Sequence, residues 1–439
     1  MKFQTILLTF FGIMAVVGLL VFATSDPKKG DTTVPGAQGN VVIWGTFQDT
    51  AGLSETIKKF NDIYKKNFSI SYQFHDPKNF DSDIVEALAS GTGPDVLLLP
   101  DDLILRHFDK IELVPYTAVS PGLFSSSFIQ ASEIYMRDEG LVALPFAIDP
   151  MVMYWNRDIF TNASVTEVPK FWDEFLTLTP KFTKRDVRTS ELVQSAISFG
   201  EYVNVTHAKD ILAMLFLQVG NPIVKMNGKT PKSMVAKSDA GQFVADQDVV
   251  SALRFFMDFS NPLKNIFTWS RARSDSRNEF INGNLAVYFD YASAYSEIKA
   301  KNPHLNFAVA QVPEPRGTTA EVTFAKVHGL AVLKTSKNKS TAFVAMQKLL
   351  FDANPAKDFA AAYNLPPVRR DLLAVPPTDA AMAVFFEAAI RARTWLDPKP
   401  EISDKAFQAM VESVSSGRND TATAVAKLNT ELDVALSRY

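Results

Sequence analysis

Apolar residues fall along this chain in two alternating rhythms. Continuous runs at 41–44 and 96–99, and an alternating strand-like stretch at 70–74, are separated by stretches where apolar side chains return every three or four positions. Leu53, Ile57, Phe60 and Tyr64 mark one such stretch, and Phe80, Ile84 and Leu88 mark the next. A run without alternation predicts a strand buried on both faces, and the 3.6-residue spacing predicts an amphipathic helix. Strand and helix in turn predict a parallel sheet covered by helices, with ligand positions beyond the carboxyl ends of its strands. Those ends are 44–49 and 100–102. Gly91-Thr92-Gly93-Pro94 predicts a helix cap and a turn; with no Lys-Ser/Thr after it, it is not a phosphate loop.

A different pattern occupies the middle. The apolar run 144–148 meets Asp149-Pro150, and a second run, 151–155, leads to Asn156-Arg157-Asp158. Proline lacks a backbone donor and is tolerated at an edge or break in a sheet. The stretch predicts two short strands with a carboxylate at the joint, where the chain leaves one sheet for another. A single buried strand with a bulge is the alternative. Further on, Ile211, Leu212, Leu215 and Val219 form one face of a helix that Thr206 can cap. Helices are expected again at 246–259 and 340–351, strands at 306–312 and 329–333, and two or three helices finish the chain.

Length and composition narrow the picture. The 439 residues exceed one compact core. Hydrophobic content of 47% and charged content of 21% suit a globular chain, and a net charge of -3 gives no basic footprint for nucleic acid. There is no cysteine, so disulfides, thiolate metal sites and cysteine nucleophiles are excluded; five scattered histidines offer no zinc motif. Lys2 precedes an apolar run at 6–23, long enough to cross a bilayer, and residues 24–39 read as a polar tether of roughly 20 Å r.m.s. span. Residues 1–25 are a signal peptide, cleaved near Thr24, or a retained anchor, followed by a linker at 26–39. Either places the body outside the cytoplasm, and the anchored form is the expectation.

Several segments resemble, in order, the extracellular solute-binding proteins of ABC importers, in the sugar-binding group. The opening strand with Trp44-Gly45, the KKFNDIYKK helix end and SGTGPDVLLLPDD carry the resemblance in the first part. Pro145, Asp149, Tyr154, Trp155, Asn156, Arg157 and Asp158 are similar to the family's crossover segment. The stretches 168–175, 280–287 and 365–372 are similar to its later motifs. The resemblance runs from Val41 to the C-terminus. It implies an α/β, two-lobe periplasmic-binding-protein-like fold (type II), the lobes joined by crossover strands. Lobe 1 would hold 40–148 and 292–333, and lobe 2 would hold 149–291 and 334–439. It also implies a monomer that presents a carbohydrate or related small solute to permease subunits, with no cofactor. Relatives anchored through a lipidated cysteine have no counterpart here.

Candidate site residues follow from sugar chemistry, in which flat apolar faces bordered by hydroxyls meet aromatic rings and polar partners. Trp44, Phe47, Tyr154, Trp155, Trp269, Tyr291 and Trp395 are candidate platforms, although each can equally be core. Gln48, Asp49, Asp101, Asp102 and Asp149 are candidate hydrogen-bonding partners. By the resemblance the last three face sugar hydroxyls, and His328 lies where relatives carry small cleft residues. Arg271, Arg273 and Arg277 form a basic cluster near Trp269, either a solvated helix start or a site for an acidic sugar. No GxSxG, Walker loop or metal-loop spacing occurs. Two readings remain beside the binding protein: a secreted glycan-active enzyme, and a receptor that signals its ligand.

Overall fold

The computed structural model describes residues 37–48, 50–239, 242–318 and 320–439. The apolar segment at 6–23, most of the polar stretch after it, and Asp49 lie outside the described residues. Strand β1 (Gly39–Gly45), helix α1 (Ala51–Tyr64), strand β2 (Phe68–Phe74), helix α2 (Phe80–Ser90) and strand β3 (Val96–Pro100) follow in the order the spacing predicts. β1 lies between β2 and β3 and is parallel to both. Thr50 opens α1 by accepting the Leu53 amide at 3.1 Å, and Gly91, at φ 70°, closes α2.

The apolar run around Asp149-Pro150 forms one strand, β4 (Leu144–Asn156), instead of two. What changes at the joint is its partner. Further elements are β5 (Leu192–Ile197), α3 (Ala208–Gln218), α4 (Gln247–Asp258), β6 (Leu285–Tyr291), β7 (Phe307–Ala310) and β8 (Thr323–Leu333). Up to Pro150, β4 pairs antiparallel with β8; from Met151 it pairs with β6, and its end also takes β7. Pro150 sits where the ladder changes partners, opposite Ala325, and its carbonyl accepts the Ala292 amide at 2.9 Å. One sheet results, in the order β2–β1–β3–β8–β4–β6–β5, with β4 and β8 shared between two portions.

The shared ribbon is specified in detail. Its register shifts between His328 and Gly329, leaving Phe146 of β4 without a partner, as in a β-bulge. A Cβ at Gly329 would lie 2.7 Å from Ala143 Cβ and 2.8 Å from the Tyr135 ring, so only glycine fits. The Tyr135 hydroxyl is shared between the carbonyls of Leu99 and Val327, both at 2.9 Å, which ties β3 to β8.

Helices α5 (Lys339–Phe351) and α6 (Ala353–Ala362) pack on α1, β1 and β4, beside the first portion of the sheet. The expectation had placed everything after residue 334 with the second lobe. Phe359 of α6 meets Phe146 at 5.4 Å, and Tyr64 of α1 donates to Asp352 at 3.0 Å. Helix α7 (Ala380–Arg391) covers β4 and β7, while α8 (Pro400–Ser415) and α9 (Thr421–Leu436) lie on the second portion with α3 and α4.

Candidate functional site

Three elements meet where the two portions of the sheet adjoin. β3 runs out at Pro100, and the next turn carries Asp101 inward and Asp102 toward solvent. Asp101 accepts the Val327 amide at 3.2 Å and the Thr394 hydroxyl. Asp102 has no hydrogen bond among the described residues and faces the ammonium of Lys326 in β8 at 4.0 Å.

The opposite wall is the start of α3. Thr206, expected to cap this helix, donates instead to Asp275, at 2.9 Å to the nearer oxygen. His207 then occupies the cap position in the left-handed region, φ 59°, without a side-chain cap. Such a backbone costs on the order of 1 kcal/mol and persists where its surroundings hold it. Here the ring does so: Nε2 lies 3.1 Å from Asp290, and the ring stands edge-on to Tyr291 at 4.8 Å. Asp290 also receives the Arg277 guanidinium at 2.7 Å, the Tyr288 hydroxyl and the Tyr291 amide at 2.8 Å. Asp210, one turn into α3, accepts the Tyr291 hydroxyl at 2.7 Å. Lys209 turns to Asp397 at 2.8 Å and Ser403 at 3.1 Å.

Between these walls lies an open pocket of ≈ 580 Å³. Asp102 and Lys326 form one side; Tyr202, His207, Lys209, Asp210, Glu401, Asp404 and Gln408 form the other. The lining is mainly donors, acceptors and charges, and holds no indole.

Electrostatics divide the carboxyls. Burial pushes Asp101 up to about 7, with Asp102 adding to it, and pushes Asp149 up to about 6. Burial also acts on Asp210, but Lys326, Lys209 and His207 outweigh it and hold that carboxyl below the usual range. At Asp290, His207 and Arg277 likewise overcome burial. Burial, with Lys326 nearby, takes His328 down to about 3, so its imidazole is neutral.

The structure brings Asp101, Asp102, Tyr291 and Lys326 together, with Asp149 close behind. One oxygen of Asp149 accepts the Ser293 amide at 3.0 Å, so the protein itself supplies one of its partners. The His328 ring lies tilted against Phe47 at 4.6 Å, Tyr363 also meets Phe47 at 4.5 Å, and the His328 Nδ1 has no partner among the described residues. Gln48 is exposed just beyond β1.

The tryptophans are placed otherwise. Trp269 is wholly buried, its indole donating to Asn204 at 3.3 Å, so it offers no face to a solute. Trp395 is buried 6.1 Å from Phe407, and Trp44 is buried against His75 at 4.0 Å. Tyr154 is buried, donating to the Tyr291 carbonyl at 2.7 Å. Trp155 is half-buried, with the Arg157 guanidinium 5.6 Å from its ring. Polar neighbours in sequence had suggested open surroundings, but their polar groups bond back to the chain. The arginine cluster is committed as well. Arg271 pairs with Glu201, Arg273 with Glu279, and Arg277 with Asp290 and Glu297.

His207, Lys209, Asp210 and Lys326 were missed by the sequence reading. For Lys326 a signal existed: it is the sole charge in the otherwise apolar run TFAKVHGLAVL. Among the described residues no group of side chains is arranged to hold a metal ion, and no helix is long and apolar enough to cross a membrane.

Comparison with known proteins adds the following. The sequence profile of the bacterial extracellular solute-binding proteins matches residues 55–385. A binding protein of Brucella abortus (strain 2308) is 23% identical over 252 residues, 57% of this chain and 55% of its own. The chain thus spans about half the length of that curated relative. A galactooligosaccharide-binding protein of Bacillus subtilis (strain 168) is 27% identical over 179 residues, 38% of each chain. The sugar-binding protein MalE of Xanthomonas citri superposes with a TM-score of 0.72 at 20% identity, covering 91% of this chain and 98% of that one. That likeness concerns the fold.

Proposed function

This chain belongs to the bacterial extracellular solute-binding protein family, and from that membership we propose that it captures a sugar or oligosaccharide between its two lobes and delivers it to the permease of an ABC importer. The observation that carries the reading is the polar pocket beside the shared ribbon. Its walls come from both portions of the sheet, Asp102 from the first and α3 from the second, and β4 pairs with strands of both. A solute seated there touches both lobes at once, so its binding energy favours the arrangement in which they approach. Asp102 offers acceptors on one wall and Asp210 on the other, Asp101 and Tyr291 lie behind that lining with their polar groups bonded to the chain, and Asp149 lies at the ribbon where the lobes adjoin.

No bond of the solute is made or broken in this scheme. Carboxylates and ammonium groups exchange hydrogen bonds with water for hydrogen bonds with hydroxyls, and release reverses the exchange. The body lies outside the cytoplasm, held at the membrane through residues 6–23. The solutes of similar proteins, galactooligosaccharide for the Bacillus subtilis protein and maltotetraose for a cyclo/maltodextrin-binding protein, motivate the first ligands to try.

The test is a thermal-shift and calorimetric screen of neutral mono- and oligosaccharides. A bound sugar raises the native state's stability by ~2.7 kcal/mol at a hundred times its Kd. It also reduces the radius of gyration in small-angle scattering. A chain that binds none of them, or that converts the sugar it binds, refutes the proposal.

A further inference from the structure

We propose that Lys326 sets the charge class of the solute: with Asp102 it grips one hydroxyl of a neutral polyhydroxylated ring and selects against anionic and cationic solutes. The inference rests on the solute-binding reading and deepens it.

Lys326 interrupts an apolar strand, and its side chain keeps 37% of its surface open to the pocket. Its ammonium has no hydrogen bond among the described residues. Neither has the Asp102 carboxylate, 4.0 Å away and 23% exposed. A contact ion pair would close to ~2.7–2.9 Å. The gap is too long for a direct bond and has the width that a single oxygen fills, ~2.8 Å from each side. A hydroxyl suits this place because it accepts and donates at once: it accepts from the ammonium and donates to the carboxylate, and both bonds are charge-assisted.

The surroundings make the selection. The other cations of the pocket region are occupied, Lys209 by Asp397 and Arg277 by Asp290. A carboxylate or phosphate solute would find Lys326 already facing Asp102, whose oxygens can only accept. An ammonium solute reaching Asp102 would meet Lys326. The Tyr291 ring centroid, 5.5 Å from Lys326 Nζ, flanks the ammonium and limits where it can swing. Only a group that is both donor and acceptor, and uncharged, satisfies both partners without leaving a like charge beside it.

The experiment is calorimetry on the full chain with four probes: galactobiose and maltotetraose as neutral sugars, digalacturonate as the anion, and glucosamine disaccharide as the cation. Wild type is expected to bind a neutral probe at least tenfold more tightly than either charged one. Lys326→Met should weaken that neutral probe ~10–100-fold, the range expected when a charge-assisted bond is lost, and Lys326→Gln, which keeps a donor, should lose less. Asp102→Asn combined with Lys326→Met should cost less than the two single effects together, because both bonds go to one hydroxyl. Melting curves confirm that each variant folds. If a neutral sugar binds but Lys326→Met binds it as wild type does, or digalacturonate binds best, the inference fails and the solute-binding reading stands. If no carbohydrate binds wild type, both fall.

Discussion

Two sets of carboxyls, on either side of one pocket, have opposite chemistry. Asp101, in the turn after β3, and Asp149, in β4, receive backbone amides and a threonine hydroxyl, and burial raises them to about 7 and about 6. Asp210 and Asp290, belonging to α3 and β6, are as deeply buried but lie among Lys326, His207 and Arg277, and are held low. Burial is common to both. Cations are what separate them. The first set can shed its charge near neutrality, whereas the second keeps it and depends on its counter-charges for stability.

The sharpest way to break the contrast is to remove a counter-charge. Arg277→Met leaves Asp290 buried without its guanidinium and should destabilise the protein by ~3–5 kcal/mol, measured by urea unfolding. Adding Asp290→Asn should restore much of that loss. If Arg277→Met unfolds like wild type, the arginine is not what keeps Asp290 ionised.

The next effect lies in pH. A carboxyl raised in the folded state binds more protons folded than unfolded, so it favours folding increasingly as pH drops from above 7 toward 4. The lowered Asp210 and Asp290 act the other way: their contribution is present above pH ~4 and is lost as acid protonates them in the folded state. Asp149→Asn should therefore flatten the stability profile between pH 7 and 4, by roughly 1–3 kcal/mol relative to wild type across that window. It should leave the loss below pH 4 in place. A profile for Asp149→Asn that runs parallel to wild type throughout would mean that Asp149 titrates normally.

The smallest effect belongs to a neutral partner. Thr394→Val removes the hydroxyl that donates to Asp101 and should cost only ~0.5–1.5 kcal/mol in unfolding experiments near pH 6, where that carboxyl is mostly protonated. A loss as large as that of Arg277→Met would erase the difference between the two walls.

What the sequence disclosed follows the same division. Short apolar runs bounded by turn residues marked β1 and β3 and the acids beyond β3, and the alternating stretch between two helices marked β2. At Asp149-Pro150 the change was legible as a joint, but not that a single strand crosses it by changing partners. The second wall was not. A histidine in the left-handed region has no compositional signature, and Thr206 spends its hydroxyl on Asp275, a partner 69 residues away. Trp269 misled because the polar residues around it in sequence bond inward, and pattern alone does not tell which way a polar neighbour turns. The break between lobes misled in a similar way after residue 334, where aromatic contacts such as Phe359 to Phe146 draw two helices back to the first portion.

The bulged ribbon has a consequence for how the chain folds. Asp149 pairs with Lys326, about 180 residues further on, and such non-local ladders are slow to form because loop closure comes before the contacts that reward it. At ~5–20 residues per second, roughly 10–40 s of synthesis separates the two strands. Until then β4 has no β8 to receive it, and Phe146 has no bulge to fix its register. Through that interval the two portions of the sheet have no shared ladder to hold them to one another.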